Sequence, residues 1–151
     1  ASGKTTWLHL VSIVDARTPD DIPAWSRAWV EERGRPTFSV SLRAGADGAL
    51  SAIEVTMADP VERDLVWPQR VRVSLGYPNR VRDLADFVNG RTTVVQGASG
   101  LPRPLYVLPN GGGIGYGLFL LDDVSRQYLL DHVEEIPDAL TRGSASRAVS
   151  K

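Results

Sequence analysis

Few residues in this chain are equipped for chemistry. Histidine occurs twice, as His9 and His132, at opposite ends of the sequence. Metal or acid–base chemistry on imidazole needs partners held close, typically a second histidine one helical turn away. Neither histidine has such a neighbour, and no third ligand is suggested by spacing. Cysteine is absent, which excludes disulfides, thiolate metal sites and a cysteine nucleophile. Both histidines therefore read as surface or interface residues. The acidic pairs Asp20–Asp21, Glu31–Glu32 and Glu134–Glu135 are adjacent in sequence. Neighbours on a helix do not face each other, so these make poor acid/base pairs and suit helix-dipole and solubility roles.

Two glycine motifs invite a phosphate reading. Gly3-Lys4-Thr5-Thr6 matches the end of a phosphate loop, but the earlier glycine and the strand leading into it are missing. Gly111-Gly112-Gly113-Ile114-Gly115-Tyr116-Gly117 is the more unusual segment. A dinucleotide fingerprint follows a strand and opens a helix, whereas here Tyr116 takes the sixth position and strand-like sequence follows. The segment reads as a loop entering a close-packed strand, with Gly117 admitting another backbone and Tyr116 presenting its ring to the core. Trp25 and Trp29 sit four apart behind Pro23, a spacing that suits packing of one helical face better than ligand stacking. Trp67, just before a strand pattern, is placed to fill a core or to sit at its end.

The elements that must position these residues fall into three regions. Residues 4 to 33 read as two helices. Trp7, Leu8, Val11 and Val14, with Leu10, recur at helical spacing. Thr18-Pro19-Asp20-Asp21 is a start signal, with Thr18 as cap and Pro19 in the first turn, and Gly34 and Pro36 stop the second helix. From Pro36 to Leu121 the period changes to two. Phe38, Val40 and Leu42 alternate with polar residues, as do Leu50 to Met57 and Val71 to Leu75. Arg80 to Val88 is a further strand, and Asn89-Gly90 predicts a tight hairpin to Arg91–Gln96. Leu105–Leu108 and Tyr116–Leu121 complete about seven strands, a pattern that favours a β-sandwich. After Asp122 and Asp123, both capping candidates, Val124, Tyr128, Leu129 and Val133 line one helical side. Pro137–Asp138 begins a second helix that fades at Ser144.

Composition narrows the partners. A chain of 151 residues fits one domain or slightly more, and 42% apolar with 23% charged residues argues against disorder. The net charge of -1 gives no electrostatic case for nucleic acid or an anionic membrane. No run approaches the roughly 20 apolar residues of a membrane-spanning helix. Arg43, Arg63, Arg70, Arg72, Arg80 and Arg82 read as solvated surface rather than a basic groove. Ala1-Ser2-Gly3 leads directly into a helical pattern and the end after Gly143 is small and polar, so both ends read as cuts in a longer chain. The absence of a targeting segment then leaves the compartment unknown.

The order of signals resembles a known family. Ala24-Trp25-Ser26-Arg27-Ala28-Trp29-Val30-Glu31-Glu32-Arg33-Gly34-Arg35-Pro36 is similar to the end of the thermolysin-like catalytic domain in aminopeptidase N-type zinc peptidases (gluzincins), where a Trp-rich helix passes through a Gly-x-Pro turn into a strand. Asn110 to Asp122, with Gly115-Tyr116-Gly117-Leu118-Phe119-Leu120-Leu121-Asp122, resembles the strand that closes that family's β-sandwich before its helical C-terminal domain. Gly117 stands where the family often has a second aromatic. The family's His-Glu-x-x-His zinc signature, with its later glutamate, is absent, so no catalytic, cofactor-binding or metal residue carries over to any position here.

The resemblance implies a seven-strand immunoglobulin-like β-sandwich over residues 35–121. Residues 1–34 would be the helical end of a catalytic domain and residues 122–151 the start of a helical C-terminal domain. The implied role is non-catalytic, holding those two domains in register. Partners would be the neighbouring domains and the parent's peptide substrate, with zinc only in the parent's catalytic domain. Two other readings stand beside it: a carbohydrate- or protein-binding sandwich module of a secreted protein, and a small hydrolase using His9 or His132. The purified chain is expected to bind no stoichiometric zinc and to leave aminoacyl arylamides intact. One zinc per chain together with hydrolysis, both lost on substituting His9 or His132, would refute this.

Overall fold

A computed structural model of the chain describes residues 2–113 and 115–136, together with Arg142, Gly143, Ser146 and Val149. The side chains of Ser2, of Lys4 to Thr6 and of Val133, the residue Ile114, the expected helix start at Pro137–Asp138 and its fading at Ser144 lie outside the described residues. Seven strands form the centre: β1 (Thr37–Ala44), β2 (Leu50–Ala58), β3 (Gln69–Tyr77), β4 (Arg80–Val88), β5 (Thr92–Val94), β6 (Tyr106–Leu108) and β7 (Leu118–Phe119). Helices α1 (Ser2–Asp15) and α2 (Ile22–Ser26) precede them, and α3 (Asp123–His132) follows. The described fold is mainly β, a sandwich flanked by helices, as the alternating sequence pattern predicts.

One sheet has the order β5-β2-β1-β7 and the other β4-β3-β6. The hairpin β1–β2 builds the first sheet and the hairpin β3–β4 builds the second. The chain then alternates between sheets. β5 returns to β2, β6 to β3, and β7 runs parallel to β1. This exchange of strands knits the two sheets into one sandwich. Register follows the apolar alternation: Phe38 faces Met57, Val40 faces Val55 and Leu42 faces Ile53. A slip by one residue would send this whole set into solvent. The β1–β2 turn uses Gly48 at φ +81, with Asp47 Oδ1 accepting the Ala49 N–H at 3.1 Å.

The tight hairpin is not where the sequence places it. Asn89-Gly90 carries the chain from one sheet to the other, and Gly90 does not adopt a positive φ. The two-residue connection lies instead at Pro78–Asn79, between the paired residues Tyr77 and Arg80. The reason is that β2 still has a free edge when the chain leaves β4. Met57 N–H donates to the Arg91 carbonyl and Val95 N–H to the Ile53 carbonyl, each at 2.8 Å. An Asn-Gly pair permits a hairpin turn, but the open edge of the opposite sheet decides where the next strand pairs.

The sandwich core joins Phe38, Ile53, Val55 and Met57 of the first sheet to Val71, Val73, Leu75 and Val88 of the second. Trp67 is fully buried among them, and Phe38 stacks on Phe119 with centroids 4.7 Å apart. The last strand is shorter than the expected Tyr116–Leu121, pairing only at Leu118 and Phe119. A second, smaller core lies on the outer face of the three-stranded sheet, where Tyr106 and Leu108 meet Leu129 and Ile136. Alternation along β6 sends Val107 inward and its two neighbours outward, so all three are buried.

The packed side of α3 keeps Leu129 and Tyr128 of the expected set but not Val124. Val124 is 69% exposed, while Ser125 is buried and its hydroxyl accepts the Val107 N–H at 2.8 Å. That bond satisfies a backbone donor on an edge strand, which explains a polar residue at a buried position. Asp122 caps the helix, its carboxylate accepting the Ser125 N–H at 2.9 Å, as the sequence predicts.

Gly76 lies under the Tyr106 ring, and a Cβ there would overlap it. Gly76→Ala is expected to destabilise the protein by about 1–3 kcal/mol through overpacking. Gly90→Ala, whose methyl would meet open space, should stay within about 0.5 kcal/mol of the parent. Urea unfolding of the two variants checks the contrast.

Candidate functional site

A groove of about 1240 Å³ opens between the two N-terminal helices and the loop that joins β2 to β3. Leu10, Val14, Ile22 and Trp25 line it from the helices, Leu65, Val66 and Pro68 from the loop, Phe87 from β4 and Asn89 from just beyond it. Only Val11 is buried among the apolar residues of α1, and Leu8, Leu10, Ile13 and Val14 stay exposed. The groove is thus an apolar surface rather than a filled core.

Local signals set the helix pair differently from expectation. The cap of α2 is Asp21, whose carboxylate accepts the Ala24 N–H at 2.9 Å, and Pro23 takes the first turn. Thr18 instead bonds Asp20 within the preceding turn. A start at Ile22 is favoured because Asp15 Oδ1 accepts the Ile22 N–H at 3.2 Å, tying the end of α1 to the start of α2. The Trp7 indole donates to the Ser26 hydroxyl at 3.0 Å, which donates to Glu31 at 2.9 Å. After Ser26 the helix widens into a π-helical turn over Arg27–Glu31. Trp25 and Trp29 stand four residues apart, as one helical face requires, but meet different neighbours. Trp25 is 40% exposed at the groove, whereas Trp29 packs on Tyr116 with centroids 5.3 Å apart.

Arg63 anchors this arm to the sandwich. Its Nε and Nη2 each donate to Asp59 at 3.0 Å, and its Nη1 donates to the Arg33 carbonyl at 2.7 Å. Glu32 lies 3.6 Å from the same nitrogen. The Arg63 guanidinium holds the Asp59 carboxyl down to about 2, helped by the N–H groups of Val61, Arg63 and Leu65 and opposed by burial. A second clasp sits at the far side of the arm. Tyr116 N–H donates to Gln69 Oε1 at 2.8 Å, Gln69 Nε2 donates to the Tyr116 carbonyl at 3.0 Å, and the Tyr116 hydroxyl donates to the Gly34 carbonyl at 2.9 Å. Tyr116 is therefore 46% exposed, not a core residue as its place in the strand pattern suggests. The Gln69 clasp and the neighbouring Trp29 ring hold it over the junction.

The residues weighed for chemistry do not converge. His9 is exposed on α1. His132 ends α3, stacked 4.3 Å from the Tyr128 ring with Nδ1 donating to the Tyr128 carbonyl at 2.9 Å. Among the described residues no group of three or more His, Cys, Asp or Glu is placed to hold a metal ion. The described donor set thus does not fit a zinc centre. Gly3 to Thr6 lies in the first turns of α1, not in a loop that follows a strand. Gly111–Gly113 forms a short turn with Gly112 at φ +76, packed over Ser74 and Arg72, and no helix opens from it. Gly117, at φ +151, brings the chain against Phe38 and the Pro36 carbonyl, where a Cβ would come within 2.7 and 2.8 Å. This is the close approach the sequence predicts. Asp59, Arg63 and Gln69 carry no chemical motif. Only the Asp59 turn leaves a sequence trace, an aspartate ahead of a proline.

No protein-family model matches the chain. In a comparison with curated proteins, it is 24% identical over 154 residues to "Aminopeptidase N" of Streptomyces lividans. The alignment covers 94% of this chain and 18% of the length of that protein.

The Asp59 pair gives a pH test. Because the folded value lies below the ordinary 3.8, its stabilisation is present above that value and is lost as the pH falls through about 2. Asp59→Asn is expected to be less stable than the parent at neutral pH, with the gap closing across that acid window. Denaturant unfolding over a pH series measures it, and a gap independent of pH would refute the assignment.

Proposed function

We propose that this chain is a non-catalytic domain of an aminopeptidase N-like zinc peptidase. In this reading the sandwich, residues 35–121, joins the helical end of a catalytic domain, residues 1–34, to the start of a helical domain, residues 122–151. The observation that carries the reading is the chain-long similarity to an aminopeptidase N of which it spans only 18%. The order of helix pair, sandwich and helix supports it, as does the sequence resemblance at Ala24–Pro36 and Asn110–Asp122. The uncovered aliphatic surface of α1 is the kind of face that packs against further protein. It outweighs the exposed rings of Trp25, Phe87 and Tyr116, which sit on separate elements rather than along one strand as a carbohydrate platform would require. Zinc and peptide substrate belong, in this reading, to the catalytic part of the parent.

The test uses the full-length parent. Leu10→Ser with Trp25→Ser removes side chains that are 49% and 40% exposed, so unfolding of this chain alone is measured alongside to separate their cost within it. In the parent the pair should lower Tm and aminopeptidase activity while zinc content stays at the parental level. Unchanged Tm and activity would refute the positioning role, and a parent without aminopeptidase activity would refute the family reading.

A further inference from the structure

The chain contains two Asn-Gly pairs, Asn89-Gly90 and Asn110-Gly111, and the fold treats them differently. An amide following asparagine can attack its side-chain carbonyl. The glycine nitrogen loses its proton and bonds to Cγ, and ammonia leaves. Water then opens the five-membered imide to aspartate or isoaspartate. One water enters and one ammonia departs, with no change of oxidation state. Glycine allows the attack best because no Cβ obstructs it. The step still needs a mobile asparagine side chain and an uncommitted amide.

Asn110 has neither freedom. Its Oδ1 accepts the Gly115 N–H at 2.9 Å, and Gly111 is buried against Ser74. Asn89 is exposed in the crossover between β4 and β5, and its side chain makes no hydrogen bond among the described residues. The Gly90 N–H is likewise unengaged there, and nothing lies within 4 Å of where a Gly90 Cβ would stand. We propose that Asn89 is a site of spontaneous conversion to aspartate and isoaspartate in the folded protein, while Asn110, in the same dipeptide, is protected by the fold. The change would add a negative charge at the lip of the apolar groove, which Arg27 and Arg63 also line. In the isoaspartyl form it would also lengthen the backbone by one carbon in the link between the two sheets.

The experiment is peptide mapping of the purified chain held in mildly alkaline buffer at physiological temperature, natively and in concentrated urea. In the native sample, tryptic peptide Asp83–Arg91 should gain about one mass unit and split into two products of equal mass. Peptide Thr92–Arg126, which holds Asn110, should remain unchanged. In urea both should convert. Gly90→Ala, expected to fold normally, should lose the native conversion. A native chain in which Asp83–Arg91 is unchanged, or in which Asn110 converts as fast as Asn89, would overturn the proposal. So would a Gly90→Ala protein that converts at the parental rate.

Discussion

Two small sheets of four and three strands must bury their inner faces against each other, and the rest of the molecule is arranged around that requirement. The inner faces carry the larger of the two apolar clusters. Each strand therefore places alternate side chains inward, and Trp67 and the stacked pair Phe38 and Phe119 occupy the shared space. The requirement also explains the glycines that matter. Gly117 must be glycine for the chain to pass between the Pro36 carbonyl and the Phe38 ring on its way into β7. Gly76 makes room for Tyr106, which belongs to the outer cluster beneath α3.

The helical pieces are joined to this core by apolar packing at Ala28, Leu129 and Ile136 and by directional polar contacts. Ser125 fastens α3 to the edge strand β6. Arg63 fastens the end of the N-terminal arm to the β2–β3 loop, and Gln69 and Tyr116 fasten it again from the other side. Directional bonds of this kind fix position without burying much apolar area. That is consistent with a groove whose walls remain open and with an α1 that buries a single apolar side chain. A part whose task is to hold neighbours in register, as proposed here, needs such geometry more than it needs a chemically equipped pocket.

Strand existence, the sandwich class and the bounds of β4 were legible in the sequence, because each rests on alternation within a few residues. The cap at Asp122 and the close approach at Gly117 were legible for the same local reason. The misreadings share another cause. Asn89-Gly90 has the chemistry of a hairpin turn, yet the free edge of β2 drew β5 to the other sheet. Tyr116 has the pattern of a strand residue, yet Gln69, far away in sequence, holds it at the surface. Trp25 and Trp29 have helical spacing, yet one lines the groove and the other packs on Tyr116, a residue far away in sequence.

By itself, then, the sequence determined which segments form the main strands and which of their faces must be buried, since side-chain alternation acts between near neighbours. It also determined that thiolate chemistry is excluded, since the chain has no cysteine. Only the tertiary structure decided which sheet each strand joins, which side of α3 is covered, and where Arg63 and Gln69 find their partners. Those outcomes depend on free strand edges and on groups brought together from distant parts of the chain, and no local pattern encodes them.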